Sequence, residues 1–491
     1  MNFLQRVQWF FWPVEAKEQK RTLLMLIVLF LVSFVYSILR TLKLTILLAD
    51  PDLPSQAVSY LKIFGIMPAA MLFTWLAMSM QSVMGQKKTF LGMNFLFAGL
   101  FAILTLVVLP HKELYRLNIS GSNELIALVN SWYITLFYVA AEMWSSIMLN
   151  MLCWGVIIEI TELKESKRLY ALFSLAANLA TYVAGWWGSS TIDSHVCYFM
   201  QTTHPTWEQS LLFQMCVLWI AQFLIVIFFQ AAVSSQEIAQ QNTLDKKVRL
   251  GFWQSVEIAW KNPIIRNVSL MMISFNIIYH LVDVIHNDYV RSVFSADPKA
   301  MNSYLNLVGK YLGIYAVIFS WILSGSFVRQ FGLFYSLLFT PILWAVLTAL
   351  DLMSTAGWIA AVPFTWVNIQ IPMYLLSFSL MLSVGRAAKF TIFDTAKEMS
   401  FLSLSLQDKR LGKASVDGLT SRLGKTGGAW LVIMILGQVG TLAAALLPLK
   451  IAMICAYALW FGSVFALIKV LPAEGKSAKI KSSSSLNTAI A

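Results

Sequence analysis

Arg40 and Lys43 lie three residues apart inside an apolar run from Thr22 to Ala49. Residues three apart share one helix face, and the run is long enough to cross a bilayer. A cation at membrane depth is costly unless it meets a partner, a cavity or a ligand. The pair therefore reads as the wall of a polar site whose natural guest is an anion. Further charges fall in other apolar runs: Glu142 in a fourth, Asp283 in a seventh, and Arg386, Lys389, Asp394 and Lys397 at the end of a tenth. Lys425 opens an eleventh, in Arg422-Leu423-Gly424-Lys425-Thr426-Gly427-Gly428. Cations and carboxylates thus come from both halves of the chain, as a polyanion held between the halves requires. The bland alternative is that Arg40 or Lys43 pairs with Glu142 or Asp283 to neutralise buried charge. Asp283 sits between His280 and His286. A carboxylate beside imidazole is also a candidate proton relay.

Other chemistry is excluded or weak. Gly424-Lys425-Thr426 invites a P-loop reading, but Leu419 stands where the upstream glycine belongs and no strand precedes it. There is no nucleophile–base set, metal-ligand spacing or cofactor motif, so neither an enzyme nor a bound cofactor is expected. The four cysteines (Cys153, Cys197, Cys216, Cys455) are scattered, mostly in apolar runs, and read as packed free thiols.

The elements that must position these residues are membrane helices. Of the 491 residues, 58% are hydrophobic and only 12% are charged, with mean hydropathy +0.69. A soluble protein would carry about a quarter charged residues. Continuous apolar runs exclude a β-barrel, which alternates in segments of about ten residues. Expected spans are 22–49, 57–81, 89–110, 126–158, 169–191, 209–233, 267–291, 303–328, 332–352, 359–385, 427–447 and 451–471. The expectation is an all-α polytopic membrane protein with 12 transmembrane helices in major-facilitator-like 6+6 halves.

Charge sets the orientation. Of 36 Lys and Arg residues, 27 fall on the side of the N-terminus and 7 on the other. The positive-inside rule then puts both termini in the cytoplasm. It also accounts for most of the +12 net charge without nucleic acid. The expected domains are a cytoplasmic N-terminus (1–21), an N-terminal half (22–233), a polar cytoplasmic linker (234–266), a C-terminal half (267–471) and a disordered tail (472–491). The run Glu162 to Arg168 reads as a solvated loop. Met1 to Arg21 lacks signal- or transit-peptide character.

Several stretches resemble the ATP/ADP translocase (nucleotide transport protein) family of plastids and obligate intracellular bacteria. They are Trp12-Pro13-Val14-Glu15, Ile38-Leu39-Arg40-Thr41-Leu42-Lys43, Ala141-Glu142-Met143-Trp144, Ser166 to Phe173, Ala177-Asn178-Leu179-Ala180 and Leu281-Val282-Asp283-Val284. The longest are Lys389 to Glu398 and Arg422 to Gly428. The resemblance implies nucleotide transport, with Lys43, Glu142 and Lys425 matching the family's functional charges. Asp283 stands where the family usually has Glu. Leu44 replaces an acid that usually follows the first-helix Lys, and Asn287 replaces a Lys four residues after the seventh-helix acid. The expected activity is ATP/ADP exchange by alternating access, with Arg40, Lys43 and Lys425 on phosphates and Arg386 and Lys389 as helpers. Glu142 and Asp283 would balance charge, gate, or orient ribose and base. Tyr36, Tyr138, Asn276, His280 and Asp394 are candidates for base contact or coupling. The rival expectation, drawn from Asp283–His280 and Leu44, is proton-coupled import of GTP, UTP, CTP or NAD. The expected partners are a nucleotide and the lipid bilayer, with the chain a monomer in a bacterial inner membrane, that of an intracellular bacterium.

Overall fold

The computed structural model describes residues 14–15, 18–121, 123–161, 163–232, 257, 260–320, 324–358, 364–366, 369–404, 408, 412 and 415–471. The expected cytoplasmic N-terminus and the linker lie mostly outside these residues, and the expected disordered tail wholly outside.

Helix α1 (Gln19–Ala49) has no Gly or Pro in its length. Three of its hydroxyls bond back within the helix: Ser37 Oγ donates to the Ser33 carbonyl at 2.9 Å, Thr41 Oγ1 to that of Ile38 at 2.9 Å and Thr45 Oγ1 to that of Thr41 at 3.0 Å. Pro51 ends it, forcing the preceding Asp50 into extended backbone (ψ 122°). Helix α2 (Met67–Ile103) follows the turn and is broken at Gly85, where φ 76° and ψ 168° fold the chain back. Helix α3 (Trp132–Met143) runs through π-type turns (Trp144–Cys153) into Trp154–Ile160. Helices α4 (Leu163–Ser190) and α5 (Trp207–Ala232) complete this part. Helix α6 (Pro263–Phe294) starts on an Asn262 cap, whose side chain accepts from the Ile264 N–H at 3.0 Å. Helix α7 (Pro298–Ile318) starts likewise on Asp297. Helix α8 (Ser324–Thr355) breaks at Gly332, with φ 78° and ψ 172°. Gly85 and Gly332 occupy backbone that is essentially glycine-only. Each breaks a long helix of its own half, a repeat of local geometry that is invisible as sequence similarity.

A short antiparallel hairpin, β1 (Phe364–Trp366) with β2 (Ile369–Ile371), pairs Phe364 with Ile371. Helix α9 (Met373–Leu380) continues through two π-type segments to Ser400. Helices α10 (Ser421–Val439) and α11 (Leu442–Val470) meet at Gly440. Eight helical segments are long and apolar enough to cross a membrane among the described residues. One of them, Ala57–Tyr115, contains the Gly85 fold.

Three boundary expectations change. The tenth span begins at Met373, because the hairpin occupies its expected start. The break between the last two helices falls at Gly440, whose positive φ ends α10. The expected solvated loop at 162–168 is helical from Leu163, and Glu165 there is buried and accepts from Arg21 at 2.9 Å. All four cysteines are free, but only Cys153 is buried; Cys216 and Cys455 are exposed.

The described helices gather into two compact units. The first comprises Met1–Lys246, Val284–Ser320 and Leu350–Ala387; the second comprises Lys247–Asp283, Trp321–Ala349 and Ala388–Ala491. In the first, α7 packs on α1 and α4. In the second, α10 packs on α6, and Phe275, Trp344, Trp460 and Phe393 form an aromatic core with centroids 5.4–5.7 Å apart along the chain of contacts.

Candidate functional site

In the first unit the site is built on α1 and α3. Tyr36, Arg40 and Lys43 follow helical spacing along α1. Lys43 is only 5% exposed. Its ammonium ion-pairs with the Glu142 carboxylate and lies 4.5 Å from the centroid of the Tyr138 ring. Tyr138 and Glu142 are one helical turn apart on α3, so a single face supplies both partners. Such a charge could not stay buried alone, since an unpaired ion in low dielectric costs several kcal/mol. The Glu142 side chain is 28% exposed, so the pair is closed on the lysine side and open on the acid side. The charges of Arg386, Arg40, Glu142 and Lys43 all act on the phenol of Tyr36. Arg386 comes from the chain's second half and is flanked by two π-type segments, Met381–Gly385 and Lys389–Phe393. Such insertions re-aim side chains within a helix and frequently mark functional positions. Three cations and one carboxylate thus lie within electrostatic reach of a tyrosine on α1.

The second unit holds the other candidates. Lys389 is buried, bonds Asp394 at 3.0 Å and lies 4.9 Å from the Phe275 centroid and 4.6 Å from that of Phe390. Lys397 pairs with Glu398 at 3.3 Å. Asn276 and His280 are buried on α6, and Asp283 lies one turn further on, half-buried. The amide of Asn276 donates to the Met272 carbonyl at 2.7 Å, which occupies one of its two N–H groups. Lys425 is exposed in the first turns of α10. Its neighbours Gly424 and Gly428 press onto α6: a Cβ at Gly424 would stand 2.7 Å from the Asn276 Cβ, and one at Gly428 would stand 3.0 Å from the His280 Cβ. The glycines are therefore a close-packing seam that fixes Lys425 relative to Asn276 and His280, not a phosphate loop.

The structure thus joins Arg40, Lys43, Glu142, Tyr36, Tyr138 and Arg386 in one cluster, and places Lys389, Asp394, Asn276, His280, Asp283 and Lys425 in the other unit. Sequence reasoning missed a second polar stripe on α1. Ser37, Thr41 and Thr45 recur every fourth residue, and Thr41 and Thr45 donate to Asn306 and Asn302 of α7 at 3.2 and 3.4 Å. Asn302 in turn donates to Gln214 of α5 at 3.2 Å. The hydroxyl spacing was readable, but not the partners, which lie 144 to 265 residues away. No group of three or more metal-ligating side chains occurs among the described residues.

A model of the TLC ATP/ADP transporter family matches residues 2–470. The chain belongs to that family. It is 25% identical over 494 residues to ADP,ATP carrier protein 1 of Chlamydia muridarum, covering 94% of this chain and 90% of that one. It is 26% identical over 487 residues to ADP,ATP carrier protein 4 of Rickettsia bellii, covering 94% and 92%. Among solved structures, the nucleoside transporter NupG aligns with TM-score 0.56 at 12% identity, over 92% of this chain and 100% of that one. A D-xylose–proton symporter aligns with TM-score 0.52 at 14% identity, over 92% and 98%. These two likenesses concern the fold, an all-α polytopic one of the major-facilitator kind. The TLC family member described here is accordingly a multi-pass membrane transporter and not an enzyme.

Proposed function

We propose that this ATP/ADP transporter binds the phosphates of its nucleotide at Arg40, Lys43 and Arg386, and that Glu142 holds the place of a phosphate while the site is empty. The carrying observation is the Lys43–Glu142 pair, with its buried cation and partly open acid. An entering polyphosphate offers several acceptor oxygens where Glu142 offers two, and it is attracted by two further cations. The exchange of one anion for another keeps Lys43 compensated throughout, so the buried charge never stands alone. Tyr138, stacked on the Lys43 ammonium, and Tyr36 supply flat faces and hydroxyls within the same cluster for ribose or base.

Lys425, Lys389, Asn276, His280, Asp283 and Asp394 of the second unit are proposed as substrate-contact or coupling residues on sequence grounds, Lys425 first among them. Lys389 with Asp394 has the weaker case, since the two already satisfy each other. The twelve-helix 6+6 division with cytoplasmic termini remains the proposed topology, in a bacterial inner membrane.

Proteoliposomes loaded with ADP and given labelled ATP outside test the reading. Internal ADP should raise the uptake rate at least tenfold over empty vesicles. Equal uptake with and without internal ADP would overturn the exchange form. Stimulation by an imposed pH gradient instead of ADP would point to proton-coupled import.

A further inference from the structure

We propose that the turn after α1 and the facing ends of α6 and α7 form a latch that closes one face of the transport path, with Arg291 as the residue that locks it. This inference rests on the alternating-access reading above and concerns a part of the chain remote from the phosphate cluster.

Arg291 lies in the last turn of α6. Its guanidinium donates to three backbone carbonyls of the turn beyond α1: Leu53, Pro51 at 3.1 Å and Asp50 at 3.3 Å. Carbonyls at a helix end have no partner within the helix and carry its negative pole. The last turn of α1 contains no basic residue of its own. A cation from a helix some 240 positions later sits at this end instead, bonding the cap residue Asp50 and the turn residues Pro51 and Leu53. One turn before Arg291, Asp288 accepts a hydrogen bond from Ser55 at 2.8 Å. The contact continues along α7. Lys299 donates to the Pro205 carbonyl at 2.7 Å, and Ser303 donates to that of Ser189 at 2.8 Å.

Below this rim the backbones of α4 and α7 touch. A Cβ at Gly185 would stand 2.3 Å from the Lys310 backbone nitrogen, and one at Gly313 would stand 2.5 Å from that of Tyr182. Side chains at these positions would hold the two helices apart. Every one of these contacts joins a residue before 233 to one after 283. They are hydrogen bonds to backbone carbonyls and to the Asp288 carboxylate, four of them from charged donors, or bare backbone contacts; Lys299 also lies 3.7 Å from the Asp193 carboxylate. Each hydrogen bond is worth about 0.5–3 kcal/mol net, strong enough to hold the face closed and exchangeable for water when it opens in the cycle. All the rim contacts lie at the end of α1 opposite the N-terminus. Lys43 is seven residues before Asp50 on the same helix, roughly 10 Å along it at 1.5 Å per residue. A shift of α1 driven by phosphate at Lys43 therefore reaches the latch through one rigid element.

The test uses the full chain in proteoliposomes, with Cys153, Cys197, Cys216 and Cys455 replaced by Ser. Cysteines at Ser55 and Asp288 are oxidised to a disulfide with copper phenanthroline. The expected result is loss of ATP/ADP exchange by at least tenfold, with recovery after dithiothreitol. Exchange that is unchanged in the cross-linked protein would show a permanent joint and overturn the latch. In a second measurement, Arg291→Ala should speed labelling of a Thr45→Cys thiol, buried in this structure, by a membrane-impermeant maleimide at least tenfold. Arg291→Lys should fall between the two. Unchanged labelling in Arg291→Ala overturns the role of Arg291; should that variant not fold, the disulfide experiment decides alone. Nucleotide-induced thermal shift reads the phosphate site separately: binding that survives in the cross-linked protein while exchange is unaffected sinks the latch and leaves the site intact.

Discussion

Lys43 shows how a single buried charge can organise its surroundings. Its ammonium is satisfied by Glu142 and by the face of Tyr138, so under the proposed phosphate site a substrate competes with groups already in place. Lys43→Ala should weaken ATP binding by roughly 1.5–3 kcal/mol, the worth of a hydrogen bond to a charged group. That is roughly tenfold to a hundredfold in Kd, readable by calorimetry on purified protein. Glu142→Gln separates competition from support. If Glu142 holds the phosphate's place, the amide variant should bind ATP as tightly or up to about tenfold more tightly, because a competing anion is gone. The same variant should lower the stability of the nucleotide-free protein by about 1–3 kcal/mol, since Lys43 loses its counter-charge. A Glu142→Gln protein that binds ATP a hundredfold more weakly would instead make Glu142 a direct ligand.

At the scale of elements, close helix approach depends on a few glycines. Gly428 meets the His280 side chain at a distance that leaves no room for a larger residue. Gly428→Leu should cost about 1–3 kcal/mol by overpacking and lower the thermal midpoint in detergent. Gly437, on the same helix, has nothing within 4 Å of its added Cβ, so Gly437→Ala should leave that midpoint unchanged or raise it slightly. Gly85 and Gly332 matter for a different reason. Their positive φ with extended ψ suits glycine alone, and alanine at either should cost about 1–3 kcal/mol although nothing lies within 4 Å of either position. Equal costs at both would support their serving as matched turns in the two halves of the chain.

For the whole molecule, the family and the fold agree on a transporter, and the measurable consequence is linkage. A ligand that binds only the folded state stabilises it by about 2.7 kcal/mol at a hundred times its Kd. ATP and ADP should therefore both raise the thermal midpoint of the purified protein, while inorganic phosphate at equal concentration should do so weakly, having fewer acceptor oxygens to span Arg40, Lys43 and Arg386. A midpoint that rises with phosphate as much as with ATP would deny any contribution from the rest of the nucleotide. Leu44 and Asn287, where family relatives are expected to carry an acid and a base, make the comparison with GTP, UTP and NAD informative. Asn287 is wholly buried with neither amide atom hydrogen-bonded to the described protein, so a guest or water that reaches it would find unspent hydrogen-bonding capacity.

Much of this was legible in the residues themselves. Apolar length determines that a segment spans a bilayer, because no other structure satisfies its backbone there. Charge at membrane depth singles out Arg40, Lys43, Glu142 and Asp283, because burial without purpose is too costly to persist. Boundaries were legible where a breaker stands alone, as at Pro51, and illegible where the chain turns through glycine inside a continuous apolar run, as at Gly440. Pairing was not legible at all. Lys43 had two acids open to it, and Glu142 is its partner only because α3 lays Tyr138 and Glu142 against that face of α1. The Thr41–Asn306 bond and the Arg291 clamp likewise join residues some 240 to 265 positions apart. Local sequence specifies which groups must find partners, since that demand is paid residue by residue in desolvation. Only tertiary packing decides which partner each one finds, because distance along the chain carries no information about which helix faces will meet.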